Sequence, residues 1–337
     1  MSDPRPSGVL TSPAASSAPA SSPTAPGTDL RVLFRSQVSV EELKAVLMPF
    51  EAQIAGHGSA QADGQHAFLK HKDGKLLKPF QKPPKGTREV AFYRGVQASD
   101  EPDDVAIRAW IPRFHGTENI GQVDGLTSGE QFLVLDDVLE GLSSPNIMDI
   151  KIGRQTWGPD APVAKRDHED RKYPGTKAPL GFSVLGIIIH RIKDGHAQGE
   201  SIKYDRTFGT SLKTEDVQTI PKVYFDVDNT GLVPALVEVV VSQMKALLAV
   251  FERQRKYLIY ASSILFAYDA EVVRQYLVDQ DRARLARGVN LKLIDFAHVF
   301  PSEGQPDENF VSGLKNLIGV FESFLPEESR LPPVKSD

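Results

Sequence analysis

The chain has 337 residues, 40% of them hydrophobic and 25% charged, with no cysteine and a formal net charge of −5. This is ordinary globular composition with length for two lobes or domains. It excludes disulfides, zinc–thiolate sites and thiol nucleophiles, and it fits a reducing compartment. Net acidity does not favour polyanions, so direct nucleic-acid binding is not expected and a polyanionic ligand needs a local basic patch. No apolar run nears the roughly 18 residues of a membrane span, and no charged region leads into an apolar N-terminal stretch. Neither a transmembrane segment nor a secretory signal is expected.

Residues 1–28 are almost entirely Ser, Pro, Ala, Thr and Gly, which predicts a disordered tail. A first lobe is expected over 29–138. Within it, Ser39-Val40-Glu41-Glu42 has capping-box spacing and predicts a short helix ending before Pro49. Asp73-Gly74 between Ala67–Lys70 and Leu76–Phe80 predicts a β-hairpin. A helix follows over Thr87–Val96, then strands over Val105–Trp110 and Gln131–Leu135. A second lobe is expected over 139–327, with a flexible tail at 328–337. It opens on a strand carrying Asp149, followed by a charged helix over Pro162–Lys172 and a buried strand over Gly181–Ile192. Val233, Leu236, Val237, Val240, Met244, Leu247, Leu248 and Phe251 fall at helical spacing, as do Phe310, Leu314, Leu317, Ile318 and Phe321. Leu258–Tyr268 and Leu291–Phe300 read as strands between these helices. There is no internal repeat and no heptad pattern.

Pro145-Asn146-Ile147-Met148-Asp149-Ile150-Lys151-Ile152-Gly153 sets an acid and a base two residues apart in an apolar run. On a strand Asp149 and Lys151 share one face, while Met148, Ile150 and Ile152 share the other and can be buried. Such a pair can steer a hydroxyl and hold a phosphate; alone it reads equally as an edge-strand ion pair of small worth. Lys78, at the end of the hairpin, can reach nucleotide phosphates, and Glu89 on the next helix can fix it, as kinases do. Phe132–Val138 is an apolar strand running into acids, which suits an inter-lobe hinge or a plain strand-to-turn ending. Asp295 sits inside an apolar strand, where an ionised carboxylate needs a partner or a cation; a Mg²⁺ ligand and a hydrogen-bonded structural Asp both satisfy that. Ser262 and Ser263 precede a buried strand.

Lys165, His168, Glu169 and Lys172 fall at i, i+3, i+4 and i+7, flanked by Arg166 and Arg171. One helix face therefore carries them, either as a clamp for a small polyanion or as a solvated charged surface. The Gly-x-Gly-x-x-Gly loop of protein kinases, a Walker A loop, a His-Arg-Asp motif and a His-Glu-x-x-His motif are all absent from the sequence.

In order, these segments resemble the inositol polyphosphate kinase family from about Phe50 to Leu325. Pro145–Gly153, Ser262–Leu265 and Ile294-Asp295-Phe296 carry the resemblance most strongly. Gln53–His57, Leu77–Gln81, Pro83–Tyr93, Lys172-Tyr173-Pro174, Gly181–Gly186 and Gly313-Leu314-Lys315 add to it. The short stretch between Gly153 and Pro174 makes the chain most similar to the multikinase branch. The resemblance implies a two-lobed, protein-kinase-like α+β fold with a small inositol-binding helical insertion at about 154–174. It implies Lys78 on ATP phosphates, Asp136 and Val138 on adenine, Asp149 and Lys151 in catalysis, and Asp295 on Mg²⁺ with Ser262 or Ser263 nearby. Lys165, His168, Glu169, Lys172, Gln81 and His298 would face the inositol phosphate.

The implied activity is ATP- and Mg²⁺-dependent phosphorylation of inositol trisphosphate and tetrakisphosphate by a monomer of the nucleus or cytoplasm, with phosphoinositide headgroups as further partners. An inositol hexakisphosphate kinase, a lipid kinase and an interaction protein with residual activity are the alternatives. His168 and Glu169 stand where multikinases tend to carry glutamines. Ile188 and Thr210 stand where a basic residue is expected. These departures bear on substrate preference rather than on ATP chemistry.

Overall fold

The computed structural model describes residues 47–49, 68–123, 127–128, 131–192 and 201–326. The tails expected at 1–28 and 328–337, the segment Gln53–His57 and most of the helix expected after Ser39 lie outside the described residues. Leu47–Pro49 forms a strand, β1, rather than a helix end. Leu47 pairs with His71 on the next strand, so sheet pairing overrides the local helical signal. The expected hairpin follows as β2 (Leu69–His71) and β3 (Lys75–Pro79), joined through Gly74 at φ +72°. Helix α1 spans Lys85–Ala98 and buries Glu89, Val90, Phe92, Tyr93 and Val96.

Val105–Trp110, expected as a strand, is instead covered by helix α2 (Pro102–Arg108) and the turn after it. Pro102 opens α2, Asp103 and Asp104 occupy its first turn and Arg108 its last, all favourable to the helix dipole. Only Ile107 of its apolar side chains is fully buried, while Val105 is 48% exposed. The lobe is completed by β4 (Phe114–Asn119), the short pair β5 (Gln122–Val123) and β6 (Thr127–Ser128), and β7 (Gln131–Asp136). Its antiparallel sheet has the order β1-β2-β3-β7-β4.

The second lobe begins with β8 (Pro145–Ile152), then α3 (Val163–Asp170), α4 (Lys177–Leu180) and β9 (Phe182–His190). Next come β10 (Ser201–Tyr204) and three short helices, α5 (Arg206–Ser211), α6 (Thr219–Tyr224) and α7 (Val227–Thr230). Helix α8 (Pro234–Arg253) is long and apolar enough to cross a membrane, yet its Leu236, Val240, Met244, Leu247 and Phe251 are buried in the core.

The expected strand Leu258–Tyr268 is two strands, β11 (Tyr257–Ile259) and β12 (Ser263–Asp269), broken where Ala261 takes φ +56°. After α9 (Ala270–Asp279) and α10 (Arg282–Arg287), Leu291–Phe300 is likewise split. Strand β13 (Val289–Ile294) ends at Asp295, φ +66°, and β14 (Val299–Pro301) pairs with β11 instead. Helix α11 (Glu308–Glu322) closes the fold. The main sheet runs β10-β9-β8-β12-β13, antiparallel throughout.

Three glycines set the close approach of α11 to this sheet. Gly153 N–H donates to Gly181 O at 2.7 Å, and a Cβ on Gly313 would lie 2.2 Å from that same oxygen. Gly153 and Gly181 also hold φ of +103° and +76°, which side chains disfavour.

One apolar core runs through both lobes. Phe92, Tyr93 and Leu133 on one side are continuous with Met148, Ile150, Phe251, Phe266, Phe310 and Phe321 on the other. Phe92 and Phe296 lie with ring centroids 4.4 Å apart. Helix α2 is joined to the second lobe by polar bonds. Tyr257 OH donates to Asp104 Oδ1 at 2.6 Å, Leu293 N–H to Trp110 O at 2.7 Å and Lys292 Nζ to Ala109 O at 2.7 Å.

Candidate active site

The alternation expected of the Asp149 strand is realised. Met148, Ile150 and Ile152 are wholly buried in the core, while Lys151 is partly exposed on the other face. Strand β8 lies between β9 and β12, so Asp149 is flanked by Gly186 and Leu265, and Lys151 by Ser183 and Ser263. Asp149 is only 5% exposed. Burial first, and then the Asp295 carboxylate, push its pKa from 3.8 up to about 7.

Lys78 pairs with Leu133 of β7 within the first-lobe sheet. Its ammonium lies 2.7 Å from Glu89 Oε1 on α1 and 2.5 Å from Asp295 Oδ1. Burial acts to lower the Lys78 pKa, but the Asp295 and Glu89 carboxylates outweigh it and hold it above the usual lysine range. Glu89 Oε1 also accepts from Phe296 N–H at 3.2 Å, so the helix acid fixes both the lysine and the turn after Asp295. Burial works to raise the Asp295 pKa, yet Lys78, Lys151 and His298 keep it below the usual range. Its side chain still opens 40% of its surface to the cleft.

Asp149 Oδ1 and Ser262 Oγ are buried and lack a hydrogen-bond partner among the described residues, and Ser263 bears on the Asp149 carboxyl. Buried polar atoms are normally satisfied. With the Asp295 carboxylate at the cleft, these oxygens suit a hard divalent cation. Among the described residues no cluster of three acids, histidines or cysteines forms a complete metal cage.

At the end of β7, the Asp136 carboxylate accepts from Lys75 Nζ at 2.6 Å and contacts His115 Nε2 at 2.7 Å. Its side chain is thus committed to the first lobe. Val138 is buried and its carbonyl accepts from Asn290 Nδ2 at 2.8 Å.

Helix α3 ends at Asp170 rather than at the expected Lys172, and with the turn after it brings three of the expected substrate residues together. Glu169 Oε1 binds Lys172 Nζ at 2.9 Å and also binds Lys165 Nζ. Burial would raise the Glu169 pKa, but hydrogen bonds and charge from the two lysines pull it down to about 2. His168 is exposed and Gln81 half-buried. Burial, followed by the charges of Lys85 and Arg88, pushes His298 down to about 4, so it is neutral at physiological pH with a buried, unpartnered Nδ1.

Two residues near this face escape the sequence. Buried Lys177 donates from Nζ to the Glu169 carbonyl, which tethers the end of α3. Arg206, first in α5, bears electrostatically on both Asp149 and Tyr173. Neither stands in a recognisable spacing; only the fold gathers them.

A model of the inositol polyphosphate kinase family matches residues 132–322. The inositol polyphosphate multikinase IPK2 of Oryza sativa subsp. indica is 36% identical over 286 residues, covering 81% of this chain and 92% of that protein. Human inositol polyphosphate multikinase is 31% identical over 324 residues, covering 95% of this chain and 69% of the relative. The solved structure of inositol phosphate multikinase Ipk2 from S. cerevisiae, in complex with ADP and Mn²⁺, superimposes with a TM-score of 0.59. It is 25% identical, and the match covers 75% of this chain and 99% of that one. With its α+β, protein-kinase-like architecture and a matched region of more than half its length, this chain belongs to the inositol polyphosphate kinase family, closely related to the multikinases.

Proposed function

We propose that this protein is an ATP- and Mg²⁺-dependent kinase of inositol trisphosphate and tetrakisphosphate, monomeric and nuclear or cytoplasmic, that phosphorylates more than one ring hydroxyl. Family membership supports the coarser part, phosphotransfer from a nucleotide to an inositol phosphate with a divalent cation. The observation that carries the reading is the convergence of Lys78, Glu89 and Asp295 beside Asp149, whose buried Oδ1 lacks a hydrogen-bond partner among the described residues.

In this reading Lys78 holds nucleotide phosphates, and Asp295, with Ser262 or Ser263, holds the cation. The cation, when bound, neutralises charge on the transferring phosphate. Asp149 orients the attacking hydroxyl and accepts its proton; a carboxyl near 7 is well matched to that task. Lys151 supplies positive charge on the same strand face, where charge develops in the transition state. Asp136 and Val138 lie at the adenine edge. Lys165, Lys172 and His168, with Gln81 and neutral His298, face the ring phosphates, and Glu169 limits how much positive charge that face presents.

The test is incubation with ATP, Mg²⁺ and a panel of inositol phosphates, resolving products by ring position. Inositol hexakisphosphate and phosphoinositide vesicles belong in the panel. Turnover confined to either one would displace the reading in favour of a pyrophosphate-forming or a lipid kinase. No turnover on any substrate would sink it.

A further inference from the structure

Arg88 precedes Glu89 on α1, and the two side chains hold backbone groups of successive residues in the turn that follows Asp295. Glu89 Oε1 accepts from Phe296 N–H at 3.2 Å, and Arg88 Nη1 donates to Ala297 O at 3.0 Å. The second arm of Arg88 reaches elsewhere. Its Nη2 lies 2.7 Å from Asp160 Oδ2, in the segment that leads into α3. The guanidinium also lies over the Phe300 ring, 4.2 Å from its centroid. Phe300 in turn occupies the space above Gly158, where a Cβ would come within 2.3 Å of the ring. One side chain thus touches the turn after Asp295, strand β14 and the segment before the lysine-bearing helix.

We propose that Arg88 is a positioning residue that moors the segment 154–162, and through it α3, to the Asp295 turn, keeping the acceptor ring in register with the transferring phosphate. This rests on the kinase reading above. An arginine suits the task because its planar fork serves two acceptors while its face packs on a ring; a lysine offers one point charge. The Arg88–Asp160 pair is 22% and 45% exposed, and exposed ion pairs contribute little to stability. Its effect therefore belongs in the kinetics, where a displacement of about 1 Å can cost roughly a hundredfold in rate.

The test compares Arg88→Ala, Arg88→Lys and Asp160→Asn with the unaltered protein, by kinetics and by amide hydrogen exchange without nucleotide. Arg88→Ala is expected to raise the KM for inositol phosphate and to lower kcat, each about tenfold or more, with the KM for ATP unmoved. Its exchange should quicken in both 154–170 and 295–300. Asp160→Asn should raise only the inositol phosphate KM and quicken only the first region. Arg88→Lys should restore the Asp160 contact but not kcat.

Silent kinetics in Arg88→Ala, or equal loss toward both substrates in step with a lowered melting temperature, would overturn the mooring. If Arg88→Ala does not fold, the other two variants decide it in the same way. Exchange changes as expected in a protein inactive on every inositol phosphate would uphold the mooring and overturn the kinase reading.

Discussion

The Lys78 side chain is 9% exposed and bonded to carboxylates from α1 and from the turn after β13. Around α3, which buries no residue, Lys165 on the helix and Lys172 just after it are 45% and 39% exposed and share one carboxylate. Removing a partner from the first group strands a buried charge, which is strongly destabilising. Removing one from the second costs less than about 1 kcal/mol. In the proposed reading, the phosphate-transfer machinery is therefore hard to vary, while the face assigned to the ring can change residue by residue. His168 and Glu169 lie on the variable side.

The sharpest way to break this contrast is Asp149→Ala or Lys151→Ala. Either should lower kcat by about two to four orders of magnitude with the fold intact; near-normal turnover in a steady-state assay removes the residue from the mechanism. Asp149→Asn adds a stability test. The Asp149 pKa is raised from 3.8 to about 7, so its favourable contribution is fully present below about pH 4 and lost as pH rises through 7. The Asn variant has no such charge to bury. Denaturant melts of the nucleotide-free protein should show it gaining on wild type between about pH 4 and 7, by up to a few kcal/mol. A gap that does not widen with pH contradicts the burial argument.

Asp295→Asn comes next, since it keeps size but removes the charge a cation needs. Activity should fall sharply in a Mg²⁺ titration, and excess Mg²⁺ should recover little. Unchanged Mg²⁺ dependence would make Asp295 a structural partner of Lys78 alone.

The smallest effects belong to α3. Lys165→Ala and Lys172→Ala should raise the KM for inositol phosphate a few-fold, about 1 kcal/mol in binding, and leave that for ATP unmoved. Glu169, anionic down to about pH 2, should repel phosphate, so Glu169→Gln should tighten binding or extend it to more phosphorylated rings. Equal effects on both substrates would make α3 a solvated helix only.

The sequence shows the phosphate end better than the ring end, for a physical reason. Asp149 and Lys151 are legible because strand alternation fixes their shared face, and Lys78, Glu89 and Asp295 because each sits in a patterned element. Ala261 and Asp295, at positive φ without being glycine, break strands that hydropathy runs straight through. Helix α2 was masked by the apolar character of Val105–Trp110, although Pro102, Asp103 and Asp104 just upstream carry a helix start. Arg88 meets Asp160 and Ala297 across 72 and 209 residues, and no local pattern announces contacts that long.

The bonds from α2 to β11 and β13 carry a thermal consequence. Asp104 is fully buried and accepts from Tyr257 OH and, at 2.5 Å, from Lys256 Nζ, so second-lobe residues supply much of its solvation. A chain cut after 138 would expose that carboxylate and the apolar side of α1 together. Heating should accordingly yield a single calorimetric endotherm for the intact protein, and neither half expressed alone should show a cooperative melt of its own.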